Sequence, residues 1–264
     1  MGTTMDRSIH PTAYVDAKAE IAEGVEVGAF AVIEAGAKIG AGSSIGHHAV
    51  VHSGVSLGQR NQVFPFAALG GAPQDLGYKG QPTRLEIGDD NSLREFCTLH
   101  RGTAEGKGVT RVGSHNLLMA YTHVAHDCVV GDHVVAANSA TFAGHCQIGS
   151  FAVIGGLTGL HQHARIGAGA MVGALSRLSK DVPPFSTTSG GDEVKVYGLN
   201  KVGLKRRGFS REALDALAAA FRIFQDPKSN FSEALAQLEA LPDKSAEVQQ
   251  LVGFLKTSER GVYR

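Results

Sequence analysis

Tryptophan is absent from this sequence, and cysteine is scarce: three residues in 264. Cys97, Cys128 and Cys146 are too few and too scattered for a disulfide framework, and read as reduced thiols in a reducing compartment. Net charge is lacking as well, with 25 basic residues against 25 acidic ones. A chain whose main task is to wrap nucleic acid keeps a basic excess, so that class is set aside. No stretch reaches the ~18 uninterrupted apolar residues of a membrane span, and the N-terminal segment has no apolar run of a secretory signal. A soluble, cytoplasmic protein is expected.

Glycine, by contrast, is abundant at 34 residues, well above the ~7% average. Much glycine without low complexity implies tight turns at fixed intervals, and the interval is six. Val15, Ile21, Val27, Ile33, Ile39, Ile45, Val51, Leu57 and Val63 follow one another at that spacing, and Gly28, Gly40, Gly46 and Gly58 each directly follow one of them. The frame resumes at Ile87, Leu93 and Leu99. It restarts shifted by one at Val112 and runs through Leu118, Val124, Val130, Ala136, Phe142, Ile148, Ile154, Leu160, Ile166 and Val172 to Leu178. Neither the helix period of 3.6 nor the strand period of 2 produces this spacing. Repeated hexapeptides, each a short strand and a turn with one aliphatic residue pointing inward, mark a parallel β-helix. The expected fold is mainly β: a left-handed parallel β-helix with eighteen residues per triangular coil, so that residues eighteen apart stack.

Two breaks in the frame, at 64–86 and 100–111, predict loops, and loops of that size on a regular solenoid tend to carry function. The prolines of DVPPF are expected to stop the ladder. Beyond them lies a helical region: one helix capped by Ser210, with an apolar face through Ala213, Leu214, Leu217, Phe221 and Phe224, a second capped by Asn230 and Glu233, and a third through Val248, Leu251, Val252 and Leu255. The expected division is a coil over 1–190 and a helical domain over 191–264.

Twelve histidines are many for such a chain, and five gather at His123, His126, His145, His161 and His163. In the repeat frame Gly144 stacks over His126 and His145 over Asp127. An imidazole with a neighbouring carboxylate and an adjacent glycine N–H is what proton abstraction with oxyanion stabilisation requires. A lone histidine is more often structural, but clustering beside that glycine favours function.

The stretches NLLMAYTHVAHDCVVG, PQDLGYKGQPTR, LHRGT and LKRRGFSRE together resemble the UDP-N-acetylglucosamine O-acyltransferases of lipid A biosynthesis, over nearly the whole chain. The resemblance implies a homotrimer that moves a 3-hydroxyacyl group from acyl carrier protein to the 3-hydroxyl of UDP-N-acetylglucosamine. It implies that His126 is the base, Asp127 holds its tautomer, and the Gly144 N–H faces the oxyanion. By the same resemblance Gln74, Asp75, His123, His145, His161, Asn200 and Arg206 contact substrate. The stretch Met171 to Ala174 carries the acyl-chain ruler, with its gate at Ala174. No metal or dissociable cofactor is implied. One departure stands out: the family has a substrate-contacting lysine where this chain has Gly77. Either Lys79 takes its place or the nucleotide is bound differently.

Two other activities fit parts of this pattern. An N-acyltransferase acting on a UDP-amino sugar would use the same scaffold. A γ-type carbonic anhydrase would need metal-binding histidines at a wider spacing than His123 and His126.

Overall fold

The computed structural model describes residues 8–242 and 244–264, so the first seven residues of the expected coil lie outside it. Each hexapeptide contributes a strand of about two residues, the first facing outward and the second inward, as in Glu20–Ile21 and Lys38–Ile39. Alternation across so short a strand suffices because the next turn redirects the chain by one side of a triangle. Stacked strands pair in parallel eighteen residues apart, Glu26 with Ser44 and Ser44 with Gln62. Among the described residues this builds three sheets of eleven, nine and eight strands, the three faces of a left-handed β-helix. Every frame residue from Ile21 to Leu178 is buried; Val15, near the open end, is half-buried. Burying one such aliphatic side chain is worth ~1.5–3 kcal/mol, and the coil repeats that gain at every corner.

Both expected loops are real but narrower than the frame breaks. Strand Ala68–Gly71 keeps Leu69 in frame, so the first insertion spans 72–83 and the second 101–108. Pairing accounts for the frame arithmetic. Leu57 pairs with Ile87, thirty residues on, so the first insertion adds two hexapeptides and leaves the frame intact. Leu99 pairs with Val124, twenty-five on, so the second adds seven and shifts the frame by one. Both insertions leave the coil at the same edge, between the second and third faces.

The prolines do not stop the ladder. Strand Ser186–Ser189 continues the first face in parallel with Met171–Val172, then turns back on Lys195–Leu199 in antiparallel pairing. Pro183 and Pro184 precede this strand and so remove no ladder donor from it. The hairpin crosses the expected boundary at 190.

Among the described residues four helices follow: α1 (Lys201–Arg206), α2 (Arg211–Phe224), α3 (Phe231–Glu239) and α4 (Ala246–Lys256). Ser210 caps α2 through Ala213 N, and Asn230 with Glu233 forms a reciprocal capping box on α3. The short α1, capped by Asn200, was not anticipated. These helices bury Leu217, Phe221, Phe224, Leu251 and Leu255 against Phe185 and Val196 at the end of the coil. A buried ion pair fastens them: Arg165 meets Asp181 at 2.7 Å and also donates to the Phe254 carbonyl and the Thr257 hydroxyl.

Candidate active site

At most corners one residue takes a left-handed backbone conformation, and these residues form columns along the edges. Asp127 (φ 60°), His145 (φ 64°) and His163 (φ 64°) occupy one column, on the edge that bears both insertions. Asp and His tolerate this region better than branched residues do, so the turn geometry itself sets their side chains side by side. His145 and His163 stack at 4.5 Å between ring centroids, while His126 meets His145 edge-on at 5.1 Å.

Asp127 is fully buried and is the hub of the site. Its carboxylate accepts from the Thr103 hydroxyl at 2.6 Å, the Thr103 N–H at 3.0 Å and the Lys107 N–H at 2.8 Å. Oδ2 lies 2.9 Å from His126 Nδ1. The Asp127 N–H in turn donates to the buried Thr110 hydroxyl. Burial opposes charge on Asp127, but the Thr103 hydroxyl, the His126 ring and the two N–H groups outweigh it and hold the carboxyl below its ordinary range. An ionised Asp127 makes Nδ1 the protonated nitrogen of neutral His126, which leaves the lone pair of Nε2 free. Nε2 faces the first insertion, 3.9 Å from Asp75 Oδ2.

Gly144 lies against the imidazole: a Cβ there would stand 2.5 Å from His126 Cε1. Its N–H donates to no group among the described residues. An imidazole, a carboxylate bonded to its Nδ1 and an open N–H donor therefore share one corner. His126, Asp127 and His145 also bring ligand atoms within 4.8 Å of one another, close enough to consider a metal. The Asp127 oxygens, however, are already filled by the donors of the second insertion, and a cation would have to displace them.

Asp75, His123 and His145 stand around this corner. His123 accepts or donates at Thr98 Oγ1, 2.7 Å away, and burial, then the charge of His126, holds its pKa below the ordinary value. His145 is lowered by burial first, with His163, His126 and Lys107 adding to the effect against Asp127. His161 lies one coil further on, exposed, with Nδ1 at the Gln162 carbonyl. Gln74 is exposed on the first insertion. Lys79 turns back on its own loop, its ammonium donating to the Leu76 carbonyl at 2.8 Å.

Three sets of expected residues are not brought to His126 within one chain. Asn200 bonds the Gly169 carbonyl on the edge between the third and first faces, and Arg206 follows in α1. Met171 and Ala174 lie on the first face and the corner after it.

Sequence reasoning missed Thr103, Lys107 and Thr110, the clamps on Asp127, and also His100. That histidine is buried, its Nδ1 has no partner, and its ring meets His123 edge-on at 4.8 Å. The one-residue frame shift was the available signal for the clamps: it marks the insertion that folds over Asp127.

Residues 181–263 match the family model described as UDP-N-acetylglucosamine O-acyltransferase, domain 2, and residues 18–53 match the bacterial transferase hexapeptide model. A protein of Ralstonia nicotianae named acyl-[acyl-carrier-protein]–UDP-N-acetylglucosamine O-acyltransferase is 54% identical over 99% of this chain and 100% of its own. One of the same name from Thiobacillus denitrificans is 51% identical over 97% and 99%. The chain belongs to the UDP-N-acetylglucosamine O-acyltransferase family. Among solved members, LpxA from Acinetobacter baumannii superposes with a TM-score of 0.93 at 41% identity, covering 97% of this chain and 99% of that one. The Francisella novicida UDP-N-acetylglucosamine acyltransferase gives 0.94 at 32%, covering 97% and 94%. In this family member no helix among the described residues is long and apolar enough to cross a membrane.

Proposed function

We propose that this enzyme transfers a 3-hydroxyacyl group from acyl carrier protein to the 3-hydroxyl of UDP-N-acetylglucosamine in the cytoplasm, the first step of lipid A biosynthesis. The observation that carries the reading is the arrangement of His126 between Asp127 and Gly144 in a chain of this family. His126 Nε2 takes the proton of the sugar hydroxyl, and the oxygen attacks the thioester carbonyl. The Gly144 N–H faces the oxyanion that forms. The carbon–sulfur bond then breaks, and His126 returns its proton to the departing thiolate. Each step is a proton transfer or an acyl shift that these groups can perform unaided.

The acting unit is a homotrimer. An exposed ladder of rings, Phe30, His48, Phe66, Phe96 and Tyr121, stacks at 4.9–5.1 Å along the edge between the first and second faces. Beyond Ser139 the same column carries Leu157 and Leu175, both more than 60% exposed. An apolar stripe of this length suits a second copy, and the same edge bears Ala174. A neighbouring copy would bring Asn200, Arg206 and the ruler residues, which one chain keeps from His126. The expected coil (1–190) and helical domain (191–264) serve as two domains of one unit, with the hairpin strand Lys195–Leu199 counted with the coil.

A second acceptor is favoured by one feature. Asp75 and Glu105, from different insertions, both face the space beside Gly77, and an amino sugar would place an ammonium there. The test is a coupled assay with carrier thioesters against UDP-N-acetylglucosamine and its 3-amino analogue. Turnover of the first alone supports O-acylation; turnover of the second alone reverses the assignment.

A further inference from the structure

Three cations border the catalytic corner, and two are committed. Lys79 donates its ammonium to the Leu76 carbonyl. Arg101 donates to the Tyr78 hydroxyl and to the Ser53 and Gly70 carbonyls while lying 5.6 Å over the Tyr78 ring. The third, Lys107, has no hydrogen bond from its ammonium and no carboxylate within ion-pair distance among the described residues. Glu105, two residues away on the same insertion, is not paired with it either.

Its backbone, by contrast, is fixed. The Lys107 N–H holds Asp127, the Gly106 N–H holds the Thr103 hydroxyl, and the Gly108 N–H holds the Thr103 carbonyl. Gly106 packs so close to the Asp127 carboxylate that no side chain fits there. The insertion is thus a short, cross-braced loop that raises one exposed lysine directly beside the base and its carboxylate. Its charge reaches as far as His145. An ammonium that is unpaired yet held at a fixed origin is placed for a ligand.

We infer that Lys107 binds a phosphate group of the incoming substrates at the mouth of the site; this rests on the acyl-transfer reading above. Both reactants of that reading bear phosphate, as the diphosphate of the sugar nucleotide and as the phosphodiester of the carrier's pantetheine arm. Of the three cations at this corner, Lys107 is the one with no partner for its charge, since Lys79 is turned onto its own loop.

The experiment is steady-state kinetics of Lys107→Ala and Lys107→Arg with each substrate varied in turn. Replacement by alanine keeps the N–H that holds Asp127, so the orienting bond survives. We expect the KM of the phosphate-bearing partner to rise about tenfold in Lys107→Ala, which is about 1.4 kcal/mol, and Lys107→Arg to restore it. A rise confined to the sugar nucleotide assigns the diphosphate; one confined to the carrier assigns the pantetheine arm. The dependence of that KM on ionic strength should be shallower in the alanine variant. Both KM values within twofold of wild type, or a fall in kcat alone, overturn the inference while leaving the acyl-transfer reading intact. Absence of wild-type turnover overturns both.

Discussion

Gly144 stands one coil above His126 and against its imidazole, so that a single methyl group at position 144 would lie 2.5 Å from Cε1 and 2.7 Å from Nε2. The same ring is bonded through Nδ1 to Asp127 Oδ2, 2.9 Å away. The glycine's place is set by the stacked coils, and that of the Asp127 carboxylate by the donors of Thr103 and Lys107 as well.

Gly144→Ala should therefore displace the imidazole without unfolding the coil. Ala143 and His145 keep their ladder bonds to Leu160 and His126. A misplacement of about 1 Å in a reacting group can cost on the order of 10²-fold. We expect kcat to fall by that order with a melting temperature close to wild type, measured by turnover and calorimetry together. Near-normal kcat would show that the ring has room to spare.

His126→Ala should lower turnover by about 10²–10⁴-fold, the usual cost of losing a general base. Asp127→Asn should also be severe, because an amide cannot fix the Nδ1–H tautomer by charge and its NH2 group takes the place of one of the two accepting oxygens. Thr103→Val should fall between wild type and these, since it removes one of the four bonds that keep Asp127 ionised. A Thr103→Val enzyme as impaired as Asp127→Asn would argue that the clamp, not the carboxylate, orients the base.

The coil was legible in the sequence because each inward residue, from Ile21 to Leu178, repeats the same burial at the same interval. His126, Asp127 and Gly144 were legible for the same reason, since stacking follows from counting. What stayed hidden depends on how an insertion folds rather than where it starts. Thr103 and Lys107 reach Asp127 only through the path of 101–108, which no periodicity describes. Pro183 and Pro184 misled because their effect depends on which side of a strand they sit. Charge pairing was hidden too: Arg165 is spent on buried Asp181, and Lys195 is paired with Glu193.

His100 makes stability depend on pH. Burial first, then the charges of His123, His126 and His52, lowers its pKa to about 4. The unfolded chain protonates near the ordinary value of about 6.5, so between these values the unfolded state binds more protons than the folded one. Stability is complete above about 6.5 and is lost as pH falls towards about 4, by an amount on the order of 3 kcal/mol. Thermal melts of wild type and His100→Asn over that range should show a steeper acid slope in the wild type. Parallel slopes would mean that another group dominates.

Phe66 and Phe96 stack at 5.1 Å on the exposed ladder. If a second copy covers that edge, Phe66→Asp places an unpaired charge inside the interface, where it is costly. The expected result is a shift from trimer to monomer in sedimentation, with activity lost because Asn200 and Arg206 no longer reach a neighbouring His126. A variant that remains trimeric and active would move the interface to another face.

Ala174 is expected to set acyl-chain length. It is exposed at the corner before Leu175, on the edge that carries the ring ladder, and its backbone packs on Gly155 of the coil before. That packing leaves its methyl group only the outward direction, into the space a neighbouring copy would close. Each CH₂ that a chain buries is worth about 0.8 kcal/mol, and forcing extra carbons into a filled slot is penalised further. Room for two more carbons would then shift preference by roughly fifteenfold, since about 1.4 kcal/mol is a factor of ten. Ala174→Gly, compared with wild type on carrier thioesters that differ by two carbons, should favour the longer chain by about that factor. Met171→Ala, at the half-buried outward position of the strand before that corner, should relax the limit less. An unchanged chain-length profile in Ala174→Gly would make Ala174 an ordinary corner residue and place the end of the groove elsewhere.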